Sequence, residues 1–245
     1  MQTNNTSGRR KFLLATGTAG LVFAVLPFAA RTASGAEGLK VGIVGSGRIG
    51  STLGTLWLKA GHEVMFSSLD LEQDKALAAR LGGKARAGTP KEAAAFGEVV
   101  MIAVPYSAMP QLGRDLATSI KGKVVIDTSN PISGRDGDIA TWAREKGAGL
   151  ASAELLPGAR LVRAFNAIGY ARLTEISQRQ GDRIGMPIAG DNADAIAVGS
   201  RLVRDIGLEP VLIGPLAMGK YLLPGTPLAG EHSAQSIREI VATLK

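Results

Sequence analysis

The chain has 245 residues, no cysteine and a formal charge of +7, which excludes disulfide-stapled folds, thiolate metal centres and cysteine nucleophiles. Its 45% hydrophobic and 20% charged residues are ordinary for a globular protein, and the length suits one large domain or a domain with a short appendage. Residues 1–36 hold four of the 28 basic residues (Arg9, Arg10, Lys11, Arg31) and none of the 21 acids, leaving +3 on the rest, so no nucleic-acid partner is expected.

In chain order, Ser7 to Leu14 reads Ser-Gly-Arg-Arg-Lys-Phe-Leu-Leu. A paired arginine, a spacer and Phe-Leu resemble the twin-arginine signal for export of folded proteins. An apolar stretch from Phe12 to Ala30 follows, diluted by Thr16, Gly17, Thr18, Gly20 and Pro27, and Ser34-Gly35-Ala36 offers small residues for cleavage after Ala36. Residues 1–36 are therefore read as a signal peptide, residues 37–245 as the folded domain, the twin-arginine export machinery as a partner and the periplasm as the destination. A retained membrane anchor is the alternative, because the stretch is nearly long enough to span.

Leu39 to Gly45 is a short β-branched run and predicts a buried strand. Ser51 to Ala60 predicts a helix stopped by Gly61, and His62 to Phe66 a second strand. Leu71 to Leu81 predicts a helix with Asp70 as N-cap and Gly82-Gly83 as terminator. Thr89-Pro90 opens a short helix to Phe96. Val99–Val104 and Lys123–Asp127 predict strands around a helix at Met109–Ile120. Arg160–Ala164, Arg183–Ala189 and Glu209–Ile213 predict strands, and Asp191–Ile206 and Glu231–Leu244 helices. This alternation implies an α/β, Rossmann-like, doubly wound and mainly parallel sheet with helices on both faces.

Gly45-Ser46-Gly47-Arg48-Ile49-Gly50 is G-x-G-x-x-G between a strand and a helix, the context that gives the motif meaning. Gly45 permits the tight turn, Gly47 lets backbone approach a pyrophosphate, and Gly50 lets helix and strand pack closely. The second strand ends Phe66-Ser67-Ser68-Leu69 with no acid at the tip to hold a ribose 2′-hydroxyl. Ser67 and Ser68 could donate to a 2′-phosphate, with Arg48 adding charge, so NADP(H) is read over NAD.

Gly45–Gly50, Gly61-His-Glu-Val64, Ala103-Val-Pro105, Val124-Val-Ile-Asp127, Asn130-Pro-Ile132, Ala164-Phe-Asn166 and Gly214-Pro-Leu216 follow in order. Together they resemble the NADPH-dependent reductases of the deazaflavin coenzyme F420 over residues 39–230, a pattern shared with the reductase module of eukaryotic metalloreductases. The resemblance implies that Ser46, Gly47, Arg48 and Ile49 form the phosphate-binding loop and that Ser68 contacts the 2′-phosphate. It implies that Val104 and Pro105 border the cofactor, and that Asn130, Pro131 and Ala164 lie near the nicotinamide. Two departures stand out. Leu69 occupies the place where the family usually has Arg, removing a bidentate guanidinium. Asn166 stands where the archaeal deazaflavin enzymes often carry His.

Hydride transfer between two ring systems needs little side-chain chemistry. Accordingly, Tyr106, Tyr170 and Tyr221 all lack a lysine four residues on, and the only histidines are His62, read as structural, and His232, read as a surface or cap residue. No spacing suggests a metal site. Lys220 and Tyr221 either border the substrate cleft or are surface and core. The leading reading is an NADPH-dependent oxidoreductase with a flavin, coenzyme F420 or similar small-molecule redox partner, in which Asn166 orients the acceptor or the carboxamide. The alternatives are a reductase of a small carbonyl or imine, and an exported NADP-binding module without catalysis. The apolar runs Val211–Leu216 and Leu222–Leu228 call for cover and suggest a homodimer.

Overall fold

Strands form where short β-branched runs end at glycine, proline or a polar turn, and helices form between them from segments with local caps. The computed structural model describes residues 1–2 and 37–244. The export signal read over residues 1–36 thus lies outside the described residues, its first two positions excepted. From residue 37 the chain belongs to one unit, Ala36–Lys245.

The first half runs β1 (Lys40–Val44), α1 (Arg48–Lys59), β2 (Glu63–Ser67), α2 (Leu71–Leu81), β3 (Ala85–Ala87), α3 (Pro90–Phe96), β4 (Val99–Ile102), α4 (Met109–Ile120) and β5 (Val124–Asp127). Asp70 caps α2 by accepting the Gln73 N–H, and Thr89 and Glu92 form a reciprocal capping box on α3. After β5 the chain makes α5 (Ser133–Asp136), α6 (Asp138–Lys146) and α7 (Ala148–Leu155) before β6 (Arg160–Arg163). Then follow α8 (Tyr170–Ser177), β7 (Ile184–Gly190), α9 (Ala193–Asp205), β8 (Glu209–Gly214), β9 (His232–Ser233) and α10 (Ala234–Thr243).

The sheet order is β3-β2-β1-β4-β5-β6-β7-β8, with β9 pairing β7. β1 to β6 are parallel, in the 3-2-1-4-5-6 order of a doubly wound dinucleotide fold. β7 is antiparallel to β6 and parallel to β8, so the mainly parallel sheet reverses once. The order turns back on itself at β1 and β4, and this switch point opens the crevice where ligands of such sheets bind.

Alternation along each strand feeds two cores. Val99, Met101, Val124 and Ile126 face one side with Leu53 and Trp57 of α1. Val100, Ile102 and Val125 face the other with Met109, Leu116 and Ile120 of α4. Trp57 donates its Nε1–H to the Leu202 carbonyl at 3.0 Å, pinning α1 to α9. The apolar runs of the C-terminal half are covered within the chain: Val211, Ile213, Leu222 and Leu228 pack with Ile237 of α10. Within Val211–Leu216, Leu212 and Pro215 are exposed, and the other four positions are buried or half-buried.

Candidate dinucleotide and acceptor cleft

The loop after β1 has the geometry its glycines imply. Gly45 sits at φ +104°, and a Cβ there would lie 2.3 Å from the Ala103 carbonyl. The Gly45 and Ser46 N–H groups donate to the Ser67 carbonyl at 2.8 and 2.9 Å, which ties the loop to β2. At Gly50 a Cβ would come within 1.9 Å of the Gly45 carbonyl, whereas at Gly47 it would meet nothing within 4 Å. Gly47 is thus open to an approaching ligand. It is also the N-cap of α1, whose N-terminus no side chain caps, leaving its N–H groups and positive dipole end for phosphate.

Beside this helix end lies a cleft of about 580 Å³, a volume suited to a small ligand. Arg48 and Ile49 line it from α1, Val104 and Pro105 from the end of β4, and Asn130 and Asn166 from the ends of β5 and β6. Of the predicted residues, these six come together. Ala164 is buried below the cleft and Phe165 lines it instead. Phe165 holds φ +66°, an uncommon backbone for an aromatic residue, and packs edge-on against Trp57 at 5.8 Å.

The two serines at the β2 tip differ in use. Ser67 is buried and donates its hydroxyl hydrogen to the Ile43 carbonyl at 2.7 Å, so it serves the sheet rather than a 2′-phosphate. Ser68 donates to Asp74 at 2.8 Å, and Ser46 donates to the same carboxylate. Arg48 turns over the Tyr170 ring, 5.4 Å from its centroid, and lines the cleft. Lys220 and Tyr221 lie outside the cleft lining and stack on each other.

A buried polar network supports the floor. Arg163 pairs with Asp127 and donates to the Ser129 carbonyl at 2.9 Å and to Asn130 Oδ1 at 3.3 Å. Asn130 Nδ2 donates to the Asn166 carbonyl at 2.9 Å. Ser129 Oγ and Asn166 Oδ1 are buried without a partner. Buried polar atoms are rarely left so, and both residues line the cleft. Arg135 adds a second guanidinium to the lining. It chelates Asp136 through Nε (3.0 Å) and Nη2 (2.8 Å). Burial pushes the Asp136 carboxyl up, but hydrogen bonds from Arg135, Ile132 and Ser107, with the Arg135 charge, outweigh it and hold the group at about 2.

His62 is structural, as expected. Its Nδ1 accepts the Leu39 N–H at 3.0 Å, so its proton sits on Nε2, 3.0 Å from Asp205. His232 lies in β9, with Nε2 3.2 Å from the Ala229 carbonyl. Among the described residues no cluster of histidines and carboxylates could hold a metal ion.

Asp74, Ser129, Arg135 and Arg163 belong to no motif in the sequence, and Asp127 stands there only as the end of the Val124-Val-Ile-Asp127 run. Arg163 left a signal, a charge inside the apolar run Leu161–Ala164.

The sheet order, the glycine loop at the switch point and the open helix end together define a dinucleotide-binding Rossmann domain. Residues 40–131 match the family described as NADP oxidoreductase, coenzyme F420-dependent. The F420-dependent NADP reductase of Methanothermobacter marburgensis is 30% identical over 207 residues, covering 78% of this chain and 90% of that protein. Metalloreductase STEAP3 of Rattus norvegicus is 31% identical over 187 residues, 75% of this chain, although the chain spans only 36% of that protein's length. A hypothetical protein from Sinorhizobium meliloti has a solved structure that superposes with a TM-score of 0.67 at 26% identity, covering 80% of this chain and 95% of that one. The chain belongs to the family of coenzyme F420-dependent NADP oxidoreductases.

Proposed function

We propose that this protein passes a hydride between NADP(H) and a flat, flavin- or deazaflavin-like acceptor held in the cleft. The carrying observation is the pair of unpartnered buried atoms, Asn166 Oδ1 and Ser129 Oγ, beneath a cleft that begins at the phosphate loop. Asn166 Oδ1 can only accept, which suits an amide N–H such as that of a carboxamide. When bound, the nicotinamide supplies the hydride and the acceptor takes it. The chain's own residues bind and orient. The α1 N-terminus and Arg48 favour the pyrophosphate charge, Asn130 and Asn166 fix the ring end, and Ile132, Pro105 and Pro224 offer apolar cover for a planar ring.

The twin-arginine reading of residues 1–36 extends the proposal to a protein exported folded, with its dinucleotide already bound. A tightly held cofactor would then cycle between two redox partners outside the cytoplasm.

A second reading, reduction of a small carbonyl or imine, gains a proton donor in Tyr170, which is 38% exposed at the cleft under the Arg48 guanidinium. Loss of nicotinamide absorbance from NADPH with panels of flavins, deazaflavins, imines and carbonyls separates the two. The main reading predicts turnover with a flavin or deazaflavin that Tyr170→Phe leaves within about threefold. The second predicts turnover with an imine or carbonyl that Tyr170→Phe lowers by about 10² or more.

A further inference from the structure

Asp74 is a carboxylate that the dinucleotide fingerprint does not name. It lies in the first turn of α2 and is fully buried. One oxygen takes the hydroxyl hydrogen of Ser46, and the other that of Ser68 at 2.8 Å. Ser46 belongs to the phosphate loop and Ser68 to the tip of β2, so Asp74 ties together the two walls between which the adenosine ribose of a dinucleotide lies in this fold. None of the ion pairs among the described residues involves Asp74.

The consequence concerns polarity. An ionised carboxylate only accepts, so Ser46 gives its hydrogen to it, and Ser68 gives its own to Asp74 at 2.8 Å in preference to the Asp70 carbonyl at 3.2 Å. Ser68 Oγ also accepts the Asp70 N–H at 3.1 Å. Both hydroxyls therefore turn lone pairs outward. A ribose hydroxyl can donate to a lone pair. A 2′-phosphate cannot, and it brings about −1.5 to −2 of charge toward a buried carboxylate. The surroundings do not compensate. Asp70 and Glu72 flank the same turn, Lys75 beside Asp74 is paired with Glu72 at 2.8 Å, Leu69 at the tip is fully exposed and uncharged, and Arg48 lies over the Tyr170 ring.

We propose that Asp74, acting through Ser46 and Ser68, sets the ribose preference of this chain and admits NADH alongside NADPH. The inference rests on the dinucleotide reading given under the proposed function. Asp74 is a positioning residue: it aims two hydroxyls and places a charge.

The test is titration of the full chain with NADH and NADPH separately, followed by nicotinamide fluorescence. The wild type binds NADH within about tenfold of NADPH. Asp74→Asn removes the charge, and its amide N–H can donate to one serine and release that hydroxyl hydrogen outward. It moves the affinity ratio toward NADPH by about tenfold or more. A measurement on the wild type alone covers the case of a misfolded variant: 5′-AMP displaces bound dinucleotide within about tenfold of 2′,5′-ADP. A wild-type preference of about a hundredfold or more for the 2′-phosphorylated ligands overturns the proposal, as does a folded Asp74→Asn with an unchanged ratio. Failure of wild type to bind either dinucleotide overturns the dinucleotide reading, and this inference with it.

Discussion

Arg163 at the end of β6 and Asp127 at the end of β5 form an ion pair with neither side chain exposed. The guanidinium also donates to Ser152 Oγ at 3.2 Å and to the Ser129 carbonyl at 2.9 Å, while Asp127 accepts the Ser129 N–H at 2.8 Å. The pair thus holds in shape the β5–α5 turn that carries Ser129 and Asn130 into the cleft. Removing one member strands the other charge in the core, so Asp127→Asn is expected to cost about 3–5 kcal/mol. Paired replacement, Asp127→Asn with Arg163→Met, should recover part of that loss. Urea midpoints read the stability change, and the NADPH affinity of folded Asp127→Asn should fall as Asn130 loses its support.

Gly47 and Gly50 separate ligand access from packing. Gly47 has φ −59° and open space around its Cα, so Gly47→Ala should keep its melting temperature within the range of a surface substitution, about 0.5 kcal/mol. Its methyl group should still weaken NADPH binding by about tenfold or more, because it stands where backbone meets pyrophosphate. Gly50→Ala should destabilise the fold itself by about 1–3 kcal/mol, since its Cβ would fall 1.9 Å from the Gly45 carbonyl. Thermal melts and titration together distinguish the two outcomes.

His62 gives the fold an acid sensitivity near neutrality. Burial lowers its pKa below 6.5; Asp205 pulls it up, and the charges of Arg201 and Lys84 push it down. The unfolded chain therefore takes the proton first as pH falls below about 6.5. Stability from this site is fully present above that pH and is lost as pH falls toward the depressed folded value. Asp136, held at about 2 against an ordinary 3.8, loses its contribution only in that lower window. Urea midpoints should decline from pH 7 to pH 5 in the wild type and decline less in His62→Gln, whose amide can replace both hydrogen bonds without binding a proton.

Much of the parallel half was legible because its signals are local. Asp70 and Gly82 bound α2, Thr89 and Pro90 open α3, and the apolar strands β1, β4 and β5 are too short and β-branched to be helices. The crossover between β5 and β6 was not legible. α6 and α7 begin at Gly137 and Gly147 with no side-chain cap, and the Ala-Gly-Leu-Ala-Ser-Ala run of α7 shows no polar face. β3 has three residues and takes its shape from β2. The reversal at β7 depends on pairing through Ala189 and Gly190, which alternation cannot express. At the site, the glycine loop was legible and the floor was not. Asp127, Ser129, Arg163 and Asn166 meet only after two strands distant in sequence lie side by side. Ser67 and Ser68 are adjacent in sequence, yet the pleat sends one hydroxyl into the sheet and leaves the other at the loop.

The central claim is hydride transfer across the cleft, and isotope tracing tests it most directly. The protein would be given NADPH carrying deuterium at the transferable nicotinamide C4 position, with a deazaflavin as acceptor and the product analysed by mass spectrometry. A deazaflavin accepts hydride at carbon, so the label does not wash out into water. The account predicts deuterium in the reduced acceptor, and a loss of turnover of about tenfold or more in Asn166→Ala. Reduced acceptor without deuterium, or bound NADPH that reduces neither deazaflavin nor flavin, would contradict it.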